Sequence, residues 1–262
     1  MKVTILGCGA ATGCPGVSIG WGACDPNEPR NRRKRASILV EDGEGDATRR
    51  LLVDTSPDLR TQLLDVGIDS LNGVLFTHAH ADHLHGIDDL RPINRKINAP
   101  LDCWMDAQTL QTARERFGYV FEPLSPEVTF HYKPTLIPHV VEPGTAFTAG
   151  GFDVLPFEQD HGVMMTLGFR FGRIAYSTDV INLDDAAFAA LEGVDVWIID
   201  ALGLKPHVTH ANIDKSLSWI EKVRPQRAIL THMGVDLDYL TLSKSLPSGV
   251  EPAFDGMVIN VA

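Results

Sequence analysis

Residues 77–86 read THAHADHLHG, so four of the chain's 10 histidines and one aspartate fall within ten positions, directly after the apolar run GVLF. His78 and His80 are two apart. In an extended segment leaving a strand, both imidazoles project to the same side. Asp82 and His83 follow at the expected start of a helix, where the turn aims them at a second point nearby. Neutral imidazole and carboxylate with no thiolate suit Zn, Mn or Fe as divalent ions. A solvated histidine-rich loop is the bland alternative, and such tight spacing behind an apolar strand argues against it. Further donors close other apolar runs: LFTH ends on His78, AYSTD on Asp179 and AILTH on His232. Loops leaving a sheet are held rigidly by it, so residues that end separate strands are expected to share one site.

The elements that must position these donors alternate along the chain. Strands are expected at 2–8, 36–42, 49–55, 73–78, 101–105, 152–157, 167–172, 173–178, 194–200 and 227–233, where β-branched and apolar residues are bounded by Gly, Asp or Pro. Helical spacing of apolar residues covers 57–67, 84–97, 107–118, 183–193 and 212–223, the last with Asn212 placed to cap it. No repeat, low-complexity segment or dividing linker interrupts the pattern. A single α/β (or α+β) layered domain over residues 1–262 is the expectation.

Composition narrows the partners. With 23 Lys+Arg against 34 Asp+Glu the net charge is -11, which disfavours nonspecific nucleic-acid binding and predicts no stable nucleic-acid complex. The opening MKVTILGCGAATG lacks a charged leader with a cleavage site, and no stretch approaches the ~18 apolar residues of a membrane span. A cytoplasmic protein without a membrane partner is expected. Its four cysteines, Cys8, Cys14, Cys24 and Cys103, are then expected to stay reduced. Two-fold assemblies are common among soluble proteins, which makes a homodimer the default.

HAHADH resembles the H-x-H-x-D-H signature of the metallo-β-lactamase superfamily, and the likeness runs through the chain. TILGCGAATGCPG resembles that family's first strand and glycine-rich turn, LLVDTSPDLRTQLL its third strand and helix, DHG at 160–162 its next histidine motif, YSTD its bridging aspartate and ILTHM its last histidine. The resemblance implies a four-layer αββα sandwich with two divalent ions at one edge, zinc or manganese, with iron a third choice. It assigns His78, His80 and His161 to the first ion, Asp82, His83 and His232 to the second, and Asp179 to both. An aspartate at 179, where many true β-lactamases carry cysteine, points away from lactam hydrolysis.

The segment IDALGLKPHVTHANID at 199–214 resembles the PHPTH region of the PhnP-type phosphodiesterase branch, and LPSGVEPAFDGMVINVA resembles its closing hairpin. By that resemblance His210 is the general acid that protonates the leaving alkoxide, a task suited to a group of pKa ~6.5; the other reading is that His210 merely caps the following helix. His207 either binds a substrate oxygen or packs beside Pro206. His85 lies outside the ligand set, and His131 and His139 have no donor spacing. The branch often carries a structural zinc on clustered cysteines, but this loop offers only Cys14 and Cys24, so none is expected. The same loop contains RNRRKR at 30–35, whose default is a solvated basic turn; steering of substrate phosphate by Arg32 and Arg33 is the alternative.

These readings combine into a binuclear phosphodiesterase. Asp82 and Asp179 stand beside the attacking water, His210 is the acid, and a small cyclic phosphodiester or mononucleotide is the ligand, such as a ribose or nucleoside cyclic phosphate. The rivals are a tRNA 3′-end endonuclease, a thioester or lactone hydrolase, and a non-catalytic carrier of cofactor biosynthesis.

Overall fold

Along β1 (Lys2–Gly7) the side chains divide between two cores: Val3 and Ile5 join one apolar cluster and Leu6 the other. Neighbouring β2 (Ser37–Asp42) repeats the division, Ile38 and Val40 facing one way and Leu39 the other. This period of two marks a sheet buried on both faces. The structure, a computed structural model, describes residues 1–261, apart from the side chain of Asp46.

The first sheet also contains β3 (Arg49–Val53), β4 (Gly73–Leu75), β5 (Leu101–Met105), β6 (Leu136–Val140) and β14 (Val258–Asn260). The second contains β7 (Phe147–Ala149), β8 (Phe152–Asp160), β9 (Met165–Phe171), β10 (Ile174–Ser177), β11 (Val196–Asp200), β12 (Arg227–Thr231) and β13 (Val250–Pro252). Their orders are β14-β1-β2-β3-β4-β5-β6 and β13-β12-β11-β10-β9-β8-β7. Each sheet is antiparallel on one side, and parallel from β3 through β6 or from β10 through β13.

Parallel neighbours need crossovers, and helices supply them. In the first sheet these are α1 (Leu59–Val66), the short α2 (Ala81–Leu84) with α3 (Arg91–Ile97), and α4 (Ala107–Phe117). Leu59, Leu63, Ile93 and Leu110 of these helices pack with Leu39, Leu52 and Phe76 as the outer core. In the second sheet the crossovers are α5 (Asp185–Ala190), α6 (Ile213–Val223) and α7 (Tyr239–Ser245). Between the sheets Ile5, Ile38 and Val53 join Phe157, Phe169 and Phe171 in the larger core. The layers are thus helix, sheet, sheet, helix, the expected αββα sandwich.

Three expectations change. The helix foreseen over 84–97 is broken, because a Cβ at Gly86 would lie 1.9 Å from the carbonyl oxygen of Ser56. There the chain is stitched to the loop after β3, by Thr55 N to His83 O at 2.8 Å and Gly86 N to Thr55 O at 2.9 Å. The final strands are not a hairpin. β13 joins β12 in one sheet and β14 joins β1 in the other, so the last segment crosses between layers. Strands β6 and β7 and helix α7 escape sequence inspection because each is short and alternates poorly. The four cysteines are free and buried, and among the described residues no helix is long and apolar enough to cross a membrane.

Candidate metal centre

The parallel strands of both sheets point their carboxyl ends at one edge, where ligands collect in open α/β sheets. Asp54 follows β3, His78 lies just past β4, Asp179 past β10, Asp200 ends β11 and His232 follows β12. Asp54, Asp179 and His232 take left-handed backbone angles, with φ of 65°, 52° and 55°. Such conformations are uncommon outside glycine and concentrate at functional sites. Here each turns the chain sharply as it leaves its strand.

All seven foreseen ligands meet at this edge. His78, His80, His161 and Asp179 each offer a donor atom within 4.8 Å of the others, and so do Asp82, His83, Asp179 and His232. Asp179 faces both groups with different oxygens. Its Oδ2 is 3.7 Å from Nε2 of both His78 and His161, while its Oδ1 is 3.1 Å from His83 Nε2 and 3.4 Å from His232 Nε2. Asp82 Oδ2 closes the second group, 3.2 Å from His83 Nε2 and 3.5 Å from His232 Nε2.

The residues fit a pair of cations. Nε2 of His78 and of His83 are buried without a hydrogen-bond partner, and a buried polar atom so left is costly. The donor sets, three imidazoles with a carboxylate and two imidazoles with two carboxylates, suit zinc or manganese.

Charge divides the site. Burial holds His78, His80 and His161 below the usual imidazole range, so the first group favours neutral nitrogen donors. Burial also disfavours charge on His83 and His232, but the carboxylates outweigh it. Asp179, Asp82 and Asp54 push His83 well up, and Asp179 leads in raising His232 to about 9. Despite their burial, Asp82 and Asp179 are held well below the carboxylate range by His83 and His232.

A second ring of residues, not foreseen, orients the donors. Asp54 Oδ2 lies 2.7 Å from His83 Nδ1 and accepts from Thr77 Oγ1 at 2.8 Å, and Thr77 Oγ1 is 3.0 Å from His78 Nδ1. His161 Nδ1 donates to the carbonyl of Thr209 at 2.7 Å. Asp200 Oδ2 lies 2.9 Å from His210 Nδ1, and its Oδ1 is 3.6 Å from His232 Nδ1. Such partners fix tautomer and ring direction. The strand-end rule that found Asp179 applies equally to LLVD and WIID, and would have found Asp54 and Asp200.

His210 belongs to this centre and does not cap the helix. Its Nε2 is 3.8 Å from Asp179 Oδ2 and its ring stacks 4.7 Å from that of His232. Asn212 is the cap of α6, its side chain accepting from Lys215 N at 3.3 Å. His207 is exposed at the mouth, its ring 5.4 Å from that of His210.

The two arginines part company. Arg33 is buried, contrary to a steering role: its guanidinium donates to Gly234 O at 3.0 Å, to Asn31 Oδ1 at 3.2 Å and to Leu237 O. It braces the chain after His232 and cannot reach a ligand. Arg32 is exposed but lies over the Trp21 ring, 5.0 Å from its centre, and neither arginine lines the cleft over His210. His85 is exposed against Phe117. His131 and His139 bond to Thr135 and Asp102, outside the cluster. The cleft holds about 490 Å³ and runs from His210 and His232 to Ile19, Leu202, Pro206 and Val235, with Lys205 in its wall.

The chain is similar to known proteins. Over 262 residues the chain is 30% identical to an octanoyltransferase of Porphyromonas gingivalis, covering 98% of this chain and 51% of that protein. It thus spans about half the length of that relative. Among solved structures, a diphosphatase from the PhnP family is 31% identical with a TM-score of 0.88, over 98% of this chain and 96% of that one. Zn²⁺-bound PqqB from Methylobacterium extorquens, 20% identical over the whole of both chains, has a TM-score of 0.75 and shares the fold. Residues 49–233 match the family model of the beta-lactamase superfamily domain, so this chain, with its sandwich and its edge of histidines and aspartates, belongs to that family.

Proposed function

We propose that the protein is a binuclear metal-dependent phosphodiesterase acting on small phosphodiesters, cyclic ones included. The observation that supports this reading most directly is His210, held by Asp200 at 2.9 Å with its free Nε2 facing the bridging Asp179. An oriented acid is required when the leaving group is a poor one, such as an alkoxide. Thiolate leaves without such help, which disfavours thioester hydrolysis. The likeness to a PhnP-family diphosphatase at 31% identity points to the same class of phosphorus chemistry.

His78, His80, His161 and Asp179 would hold one ion and Asp82, His83, Asp179 and His232 the other. When bound, such a pair polarises a phosphoryl oxygen and makes water a nucleophile near neutral pH. Asp82 and Asp179, among those ligands, would border the water and could accept its hydrogen bonds. His210 Nε2 delivers its proton to the departing oxygen, while Asp200 keeps Nδ1 protonated and the ring aimed.

The test is hydrolysis of a 2′,3′-cyclic mononucleotide by metal-free protein reloaded with Mn²⁺ or Zn²⁺, with His210→Ala in parallel. Turnover by the wild type, and its loss in a variant that still binds two ions, is the expected result. Two bound ions without turnover of any phosphodiester would overturn the reading.

A further inference from the structure

The rim of the cleft is more apolar than catalysis at phosphorus requires. Residues 16–20 form a tight tip, closed by Gly16 N to Gly20 O and Gly20 N to Gly16 O, both at 2.8 Å. The tip holds out Val17, fully exposed, and Ile19, 51% exposed and lining the cleft. Flanking the cleft residues Lys205, Pro206 and His207 in sequence, Leu204 is 58% and Val208 82% exposed. Beside them stands Val163, 68% exposed, on a loop held close because a Cβ at Gly162 would lie 2.7 Å from the carbonyl oxygen of Val208. Exposed aliphatic side chains thus come from three separate loops to border one histidine cluster. Of these side chains Ile19 lines the cleft itself, and exposed apolar side chains gathered near a cleft are a feature of binding grooves.

The walls agree with the rim. Ile19, Leu202, Pro206 and Val235 face the cleft, Ala10 and Ala11 keep it open, and its polar groups outside the histidines are Thr12 and the oppositely charged Lys205 and Asp236. No Phe, Tyr or Trp side chain lines it, its rings being those of His207, His210 and His232, and Trp21 is already paired with Arg32. Nucleobases are held chiefly by stacking on aromatic or guanidinium planes; the imidazoles lie at the histidine end, and the wall of Ile19, Leu202, Pro206 and Val235 offers no such plane. Aliphatic walls next to a few polar groups suit a flexible hydrocarbon.

We infer that the wall formed by Ile19, Leu202, Pro206 and Val235 is a subsite for an aliphatic substituent, an alkyl or acyl chain, carried by the phosphate ester bound at the histidine centre. This rests on the phosphodiesterase reading for the reaction but not for the binding. The chain lies along the wall beyond His210, with its phosphate end toward His232 and Asp179.

Calorimetry on Zn²⁺-loaded protein tests it with methyl phosphate, hexyl phosphate and 5′-AMP. Each buried methylene is worth about fourfold in affinity, so hexyl phosphate is expected to bind at least ~10-fold more tightly than methyl phosphate even if the chain is only partly covered. Ile19→Asn reduces that ratio, whereas Leu64→Asn, on the outer face of α1, preserves it. Equal affinity for the two alkyl phosphates, an undiminished ratio in Ile19→Asn, or tighter binding of 5′-AMP than of hexyl phosphate would each overturn the subsite. Turnover of methyl p-nitrophenyl phosphate, run alongside, tests the reaction separately. Turnover with a flat alkyl series leaves the phosphodiesterase and removes the subsite; a steep series without turnover does the reverse.

Discussion

Asp200 Oδ2 and His210 Nδ1 lie 2.9 Å apart, joining the end of β11 to the loop that leads into α6. Asp200 is fully buried, and its Oδ2 also accepts from Val180 N at 3.1 Å, so the carboxylate cannot swing away from the histidine. Replacing it by Asn keeps the shape but offers an amide that can hold the wrong tautomer. Asp200→Asn is expected to lower kcat by ~10²- to 10⁴-fold, the range of an acid catalyst, with KM little changed and two ions still bound. Measured metal content decides the matter: loss of an ion would mean that Asp200 acts mainly through His232.

Asp54 serves the ligands from behind, touching His83 and reaching His78 through Thr77. Partners of this kind typically contribute 10- to 100-fold in metal affinity. Asp54→Ala should therefore weaken retention of an ion by about that factor, read by competition with a chromogenic chelator, and the second ion should be lost first.

Arg33 gives a prediction about stability. Arg33→Met removes the guanidinium from the carbonyls of Gly234 and Leu237, leaving them only longer contacts with Leu237 N and Cys24 Sγ at 3.4 Å, a loss of about 2–3 kcal/mol in all. A melting temperature lower by roughly 5–10 °C is expected at ~2–4 °C per kcal/mol. Arg32→Met, at an exposed site, should shift it by less than about 2 °C. Comparison of the two thermal scans checks both.

Asp255 makes stability depend on pH. Its side chain is 12% exposed, and burial raises its pKa to about 6 although Lys34 and Cys8 donate to it. The folded protein thus keeps a proton that the unfolded chain releases. The stabilisation is complete below the ordinary aspartate range near 3.8 and is lost as pH rises through 6. Wild type should lose ~2 kcal/mol relative to Asp255→Asn between pH 4 and pH 7, measured by urea titration at each pH. Parallel curves for the two proteins would remove Asp255 as the cause.

Local chemistry determined much of this protein. The spacing of His78, His80, Asp82 and His83 already described a cluster of metal-type donors, and apolar runs ending in His78, Asp179 and His232 described how a sheet would assemble it. Apolar and β-branched runs bounded by Gly, Asp or Pro announced β2 and β3, and Asn212 announced the start of α6. These features depend on neighbours within a few residues, which is the range over which spacing carries information.

Only the tertiary structure decided the rest. Arg32 and Arg33 are indistinguishable in RNRRKR, yet one is exposed and the other is buried against carbonyls some 200 positions away. His210 could cap a helix or face the histidine and aspartate cluster until Asp200 and Asp179 were brought to its two nitrogens. The breaks at Gly86 and between β13 and β14 come from backbone approaching backbone, which leaves no periodic trace. A contact between distant segments is set by the packing of the two sheets, and no window of sequence contains both of its partners.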